Sequence, residues 1–151
     1  MLRDTLSAAM KDAMRNKEKK RLTTIRLINA AIKEFDIDNR TKEDEVKDED
    51  AAIIDILSKM VKQRKDSIKA YEEAGRCELA EQEKDEIKII EDFLPRQLNE
   101  EEIEAAAKAI VTDLGAEGLK DIGRCMAALK DKHAGSMDFA KASGIVKGLL
   151  S

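Results

Sequence analysis

Lys62, Lys65 and Lys69 are the residues whose spacing best suits chemistry. On a helix of about 3.6 residues per turn all three share one face. A row of ammonium groups attracts phosphates without needing an acid, a base or a nucleophile. Lys19, Arg26 and Lys33 form a second basic line at seven-residue spacing. The plain alternative is a solvated face with surface ion pairs, each worth under about 1 kcal/mol. The net charge of −4 hides strong alternation: residues 11–33 hold eight basic against two acidic side chains, and residues 34–55 hold ten acidic against three basic. Residues 59–69 are basic again and residues 72–92 acidic, so the blocks follow successive segments, and acidic neighbours limit where a phosphate backbone can sit.

Bond-making chemistry has little to work with, and no catalytic residue is assigned. The single histidine, His133, lies in Lys130-Asp131-Lys132-His133-Ala134-Gly135 and reads as a helix C-terminal residue rather than a base. Cys77 and Cys125 form no Cys-x-x-Cys pair, and one histidine with two distant cysteines is too few ligands for a structural zinc site. No glycine-rich phosphate loop of the G-x-x-x-x-G-K-[ST] type is present. No metal and no cofactor is therefore expected. No stretch approaches the roughly 20 apolar residues of a membrane span, so no membrane role is expected. Met1-Leu2-Arg3-Asp4-Thr5 lacks the layout of a signal peptide, and the cysteines read as reduced thiols, which points to the cytoplasm.

The elements that must carry these residues are helical. With 40% charged residues, 3% aromatic and one proline, the chain favours helices over sheets, and the expected fold is all-α. Leu2, Leu6, Ala9-Met10 and Ala13-Met14 mark a first helix; Leu22, Ile25, Asn29, Ile32 and Phe35 mark a second. Asn16 to Lys20 between them reads as either a break or a continuation. Residues 36–50 are polar and read as a loop. A third helix shows Ile53, Leu57, Met60-Val61, Arg64, Ile68 and Tyr71 on one face, and a fourth shows Leu79, Glu83, Ile87, Ile90 and Leu94. Gly75 can take the positive φ that closes the third helix, and Pro95 must end the fourth. The result is a long helical hairpin in a domain of residues 1–94.

Residues 95–151 read as a small three-helix domain. Asn99 with Glu102 fits an N-cap followed by a glutamate three residues on, and Asp138 can cap a last helix. Gly115, Gly118 and Gly135 fall at turns. Gly123 falls inside a helical pattern, where glycine costs about 1 kcal/mol against alanine; it admits close approach of another helix or of a ligand backbone, and helix packing is the commoner reason.

Arg64 and Glu83 occupy positions where an apolar stripe expects core residues. Pairing the hairpin about Gly75-Arg76 sets Arg64 opposite Ile87, one turn of about 5.4 Å from Glu83. A partly buried Arg64–Glu83 ion pair fixing the hairpin register is expected, with Arg76 as the rival partner and snorkelling to solvent as the plain alternative.

Lys62-Gln63-Arg64, Ser67-Ile68, Ala74-Gly75-Arg76, Leu79-Ala80, Glu83, Leu94-Pro95 and Gln97-Leu98 resemble the signature of the YqeY-like family, as do Asp121-Ile122-Gly123-Arg124 with Met126, Gly135 with Asp138, and Ser143 with Ile145-Val146-Lys147. Phe139 and Ala142 depart from it, where glycine and valine are usual. That family resembles the C-terminal tail of the B subunit of the glutamyl/aspartyl-tRNA amidotransferase, a helical appendage implied in gripping tRNA while chemistry occurs elsewhere. The resemblance thus implies a carbon–nitrogen ligase setting with glutamine as amido-N-donor, not an active site in this chain. The leading expectation is a stand-alone, non-catalytic module contacting tRNA or other RNA through Lys62, Lys65, Lys69, Arg96, Lys120, Arg124 and Lys147. The runner-up is an adaptor docking on an amidotransferase, a synthetase or another enzyme through an apolar helical groove. Ala140, Gly144 and Gly148 suit such a partner helix, unless that face packs within the three-helix unit.

Overall fold

The computed structural model describes residues 2–40 and 49–151, and among these the only regular elements are helices. The fold is all-α. Chain contacts divide it into two units, Met1–Pro95 and Arg96–Ser151.

The N-terminal unit contains α1 (Leu2–Arg15), α2 (Lys19–Asn39), α3 (Glu49–Glu73) and α4 (Cys77–Glu91). Its core is aliphatic: Leu6 and Ala13 from α1, Ile25, Ile28 and Ile32 from α2, Ile53, Leu57, Met60 and Val61 from α3, and Ile87 and Ile90 from α4, with Phe93 just beyond. Two helix ends share one device. At α3, Gly75 takes φ +70°, Gly75 N–H donates to Glu72 O (3.1 Å) and Arg76 N–H donates to Tyr71 O (2.7 Å). This is the paired bonding that satisfies the orphan carbonyls of a helix C-terminus. At α1 the same two bonds form with Lys17 at φ +56°, so Asn16 to Lys20 is a break and not a continuation.

Three expectations change here. Residues 36–39 belong to α2 and Glu49 and Asp50 to α3, so the loop read over 36–50 is shorter than expected at both ends; residues 41–48 lie outside the described residues. Long-range and side-chain bonds that local composition does not reveal favour the extra turn: Arg3 holds Asp36 at 2.7 Å, and Asn39 Nδ2 donates to Phe35 O at 3.0 Å. On α1, Met14 is exposed, and on α4 Leu79 is exposed while Ala80 is buried.

The C-terminal unit contains α5 (Glu100–Leu114), a single 3-10 turn (Leu119–Asp121), α6 (Ile122–His133) and α7 (Phe139–Leu150). Each of the three helices packs on the other two around Ile103, Ala107, Ile110, Cys125, Leu129, Met137, Ala142, Val146 and Leu150. Asn99 caps α5 in the expected reciprocal box: its side chain accepts from Glu102 N–H (2.8 Å), and Glu102 accepts from Asn99 N–H (3.2 Å). Asp138 caps α7 through Ala140 N–H and Lys141 N–H. Ahead of α5, Leu98 N–H and Gln97 Nε2 donate to Ser136 O (2.7 Å) and Gly135 O (2.6 Å), fastening the entry strand of chain to the α6–α7 turn. Gly123 corrects its expected role. It lies in the first turn of α6, and a Cβ there would meet nothing within 4 Å, so no helix of the unit approaches closely at that point.

Candidate nucleic-acid interface

Helix α3 separates its cations by face. Lys62, Lys65 and Lys69 are all exposed, and Lys62 and Lys69 make no ion pair among the described residues. Arg64, two residues from Lys62, turns inward instead, with only 13% of its side chain exposed. Its Nε donates to Glu86 at 2.9 Å, and Nη1 donates to Met60 O at 3.3 Å. Glu83 stands further off, at 3.9 Å. The expected Arg64–Glu83 contact is therefore the weaker half of a three-residue cluster, with Glu86 as the main partner. Glu86 lies at the level of Ile87, which the hairpin pairing sets opposite Arg64. Four-residue steps from Leu79 reach Glu83 and Ile87 and not Glu86, although side chains three apart also share a helix face.

The cluster holds two half-buried carboxylates and one guanidinium. Burial raises the carboxyl pKa of Glu83 above its usual value, the neighbouring Glu86 raises it further, and Arg64 only partly offsets both. This arrangement locks two helices together and offers a phosphate nothing.

The C-terminal candidates differ among themselves. Arg96 grips Glu102 with both arms of its guanidinium, Nη1 to Oε1 at 3.0 Å and Nη2 to Oε2 at 2.5 Å. With the backbone N–H of Asn99 adding to Arg96, the Glu102 carboxyl is pulled down to about 2. Arg124 donates from Nη2 to Leu114 O at 3.2 Å, satisfying a carbonyl at the end of α5, and lies 3.4 Å from Asp121. Glu117 N–H donates to the Asp121 carboxylate and, before Arg124 and Lys120, is what lowers its pKa. Arg96 and Arg124 are thus engaged inside their own unit. Lys120 and Lys147 are exposed.

Ala140, Gly144 and Gly148 form an exposed line on α7, and a Cβ at either glycine would meet nothing within 4 Å. That face does not pack within the three-helix unit. Cys77 is exposed, Cys125 is buried, and both are free thiols. Among the described residues no three His, Cys, Asp or Glu side chains gather as a metal site, and no helix is long and apolar enough to cross a membrane.

Comparison with known proteins places the chain. Among its relatives is the altered inheritance of mitochondria protein 41, mitochondrial, of Kluyveromyces lactis, 38% identical over 113 residues that cover 72% of this chain and 58% of that protein. The protein of the same name from Lachancea thermotolerans is 38% identical over 112 residues, covering 72% of this chain and 57% of that protein. That from Pyrenophora tritici-repentis is 30% identical over 138 residues, covering 87% and 72%. The chain thus spans less than two thirds of the first two relatives.

These names overturn the cytoplasmic expectation, because the relatives are named as mitochondrial proteins. Reduced cysteines and the layout of five residues were its whole basis, and reduced thiols do not separate one reducing compartment from another. The family model described as YqeY-like protein matches residues 3–150, nearly the entire chain, and the chain belongs to that family.

Proposed function

We propose that this chain is a non-catalytic helical module that binds tRNA or another RNA through the outer face of α3, in the setting of tRNA-dependent amidotransfer. The observation that carries this reading is the division of α3: one cation is drawn into the hairpin, while Lys62, Lys65 and Lys69 stay exposed along the opposite line. A rigid helix presenting ammonium groups one turn apart follows a phosphate backbone by charge and shape, without reading bases. Lys120 and Lys147 supply further phosphate contacts. Arg96 and Arg124 contribute less, since each would have to release partners in its own unit.

Binding of bulk tRNA to the purified chain across a salt series tests this, with a Lys62/Lys65/Lys69→Glu variant alongside. Binding should weaken steeply with salt. Loss of three phosphate contacts should flatten the log–log salt dependence by roughly 2–3. Absence of binding even at low salt sinks the reading, as does a variant that binds like the parent.

The exposed Ala140–Gly144–Gly148 line favours one second reading, an adaptor whose α7 receives a partner helix from an amidotransferase, a synthetase or another enzyme. Small residues let two helix backbones approach closely, and docking of that kind responds weakly to salt.

A further inference from the structure

Helices α1 and α2 run antiparallel, since Arg3 meets Asp36 and Met10 meets Asn29. A cleft of about 310 Å³ opens between them. Its apolar floor is Leu6, Met10 and Ile32, of which Leu6 and Ile32 are buried. Asn29, Ser7 and Lys33 line its sides, and the Arg3–Asp36 pair lies at one end.

Asn29 is the informative residue. It follows Ile25 by four positions and precedes Ile32 by three, on the line of α2 that otherwise carries core aliphatics. It is half-buried there, and no buried polar side-chain atom among the described residues lacks a partner, so its amide faces the open cleft and not the sealed core. Its side-chain hydrogen bond among the described residues is from Nδ2 to Met10 Sδ at 3.6 Å, and a thioether is a weak acceptor. The Ser7 hydroxyl and the Lys33 ammonium have no partner among the described residues. The acceptor at the end of the cleft, Asp36, is already held by Arg3, which also pairs with Glu49. Three donors therefore line an apolar-floored cleft whose one carboxylate among the described residues, Asp36, is occupied.

We propose that this cleft binds a small amphiphilic monocarboxylate. The aliphatic chain lies over Leu6, Met10 and Ile32, and the carboxylate accepts from Lys33, the Asn29 amide and the Ser7 hydroxyl. A volume near 310 Å³ stands at the small end of ligand sites, roughly 300–1,000 Å³, which suits a short chain and not a large cofactor. The site is independent of the RNA reading and does not involve the lysines of α3.

The test is an NMR titration of the full ¹⁵N-labelled chain with hexanoate and octanoate, with hexylamine as the chain-matched cation. Saturable shifts are expected at Ser7, Met10, Lys33 and the Asn29 side-chain amide with both carboxylates, and not with hexylamine. Lys33→Gln, at an exposed position, should keep the fold and weaken octanoate binding by roughly ten-fold, the scale of one lost charge-assisted hydrogen bond. Asn29→Leu should weaken binding by a similar factor while raising the melting temperature, because it completes the aliphatic line. No saturable shift with either carboxylate, equal shifts with hexylamine, or undiminished binding by Lys33→Gln overturns the proposal. A drop in melting temperature for Asn29→Leu does so too, because the amide would then be structural.

Discussion

Arg64 in the N-terminal unit and Arg96 in the C-terminal unit each sit beside glutamates, and the two sites treat those glutamates in opposite ways. Arg64 is half-buried between α3 and α4, with Glu86 at 2.9 Å and Glu83 at 3.9 Å. Two carboxylates compete there for one cation in a place poor in water, and the carboxyl of Glu83 is driven up. Arg96 is exposed and serves one carboxylate, Glu102, which a backbone N–H also supports; that carboxyl falls to about 2. The ingredients are the same, and the sign is set by desolvation and by the count of acids per cation. The N-terminal site uses charge to hold two helices at a fixed level. The C-terminal site uses it to finish the first turn of one helix, where an acidic side chain also favours the helix dipole.

The largest difference should appear on removing the buried guanidinium. Arg64→Ala leaves Glu83 and Glu86 without their cation and Met60 O without a donor, and should destabilise the N-terminal unit by about 2–3 kcal/mol. That lies between the roughly 3–5 of a fully buried pair and the under about 1 of an exposed one. Chemical denaturation measures the loss, and amide exchange shows whether it is confined to α3 and α4. A loss under about 0.5 kcal/mol would mean that the side chain merely snorkels. Next in size is Asn99→Ala, which removes the cap of α5 and should cost about 1 kcal/mol, read as faster exchange at the start of α5. Arg96→Ala should do less than Asn99→Ala, because Asn99 satisfies a backbone N–H that Arg96 does not touch. The reverse order would make the ion pair, and not the cap, the organising feature of that turn.

Local devices are legible in the sequence. The Asn99–Glu102 box, the Asp138 cap and the left-handed Gly75 each depend on residues within a few positions of one another, so spacing alone reveals them. The core line of α3 is legible for the same reason, whereas the lines of α2 and α4 are legible only in part: Ile28, Ala80 and Phe93 are buried off the expected positions, and Leu79 is exposed. What escaped depends on contacts across the fold. Nothing near residue 86 marks Glu86 as the partner of Arg64, because that requires the hairpin level to within one residue. The left-handed Lys17 escaped because glycine is the usual residue there. Residues 36–39 read as loop because the Arg3 contact that supports them comes from another helix. The exposure of Lys62, Lys65 and Lys69 follows from helical spacing, but the engagement of Arg96 and Arg124 does not. Leu114 O precedes Arg124 by ten residues, across a turn of unknown shape. Asn29 carries a legible signal, a polar residue on an apolar line, and it lines the cleft between α1 and α2.

The smallest effect tests the sign of the comparison. A carboxyl whose pKa is raised by folding adds stability while protonated, below its unfolded value near 4.5, and loses that contribution as pH rises through the raised folded value. At neutral pH charged Glu83 therefore works against the fold. Glu83→Gln should leave the melting temperature unchanged or slightly higher at pH 7, and the two proteins should converge as pH falls below about 4.5. Glu102 runs the other way: its contribution is present above 4.5 and disappears as pH falls through about 2. Side-chain carboxyl NMR titration resolves both groups in one sample, with Glu83 expected above its ordinary value and Glu102 far below. If Glu83 titrates low instead, Arg64 outweighs both burial and Glu86, and the cluster is an ordinary ion pair. Glu83→Gln would then lower the melting temperature at pH 7, and the contrast between the two arginines would reduce to a difference in exposure.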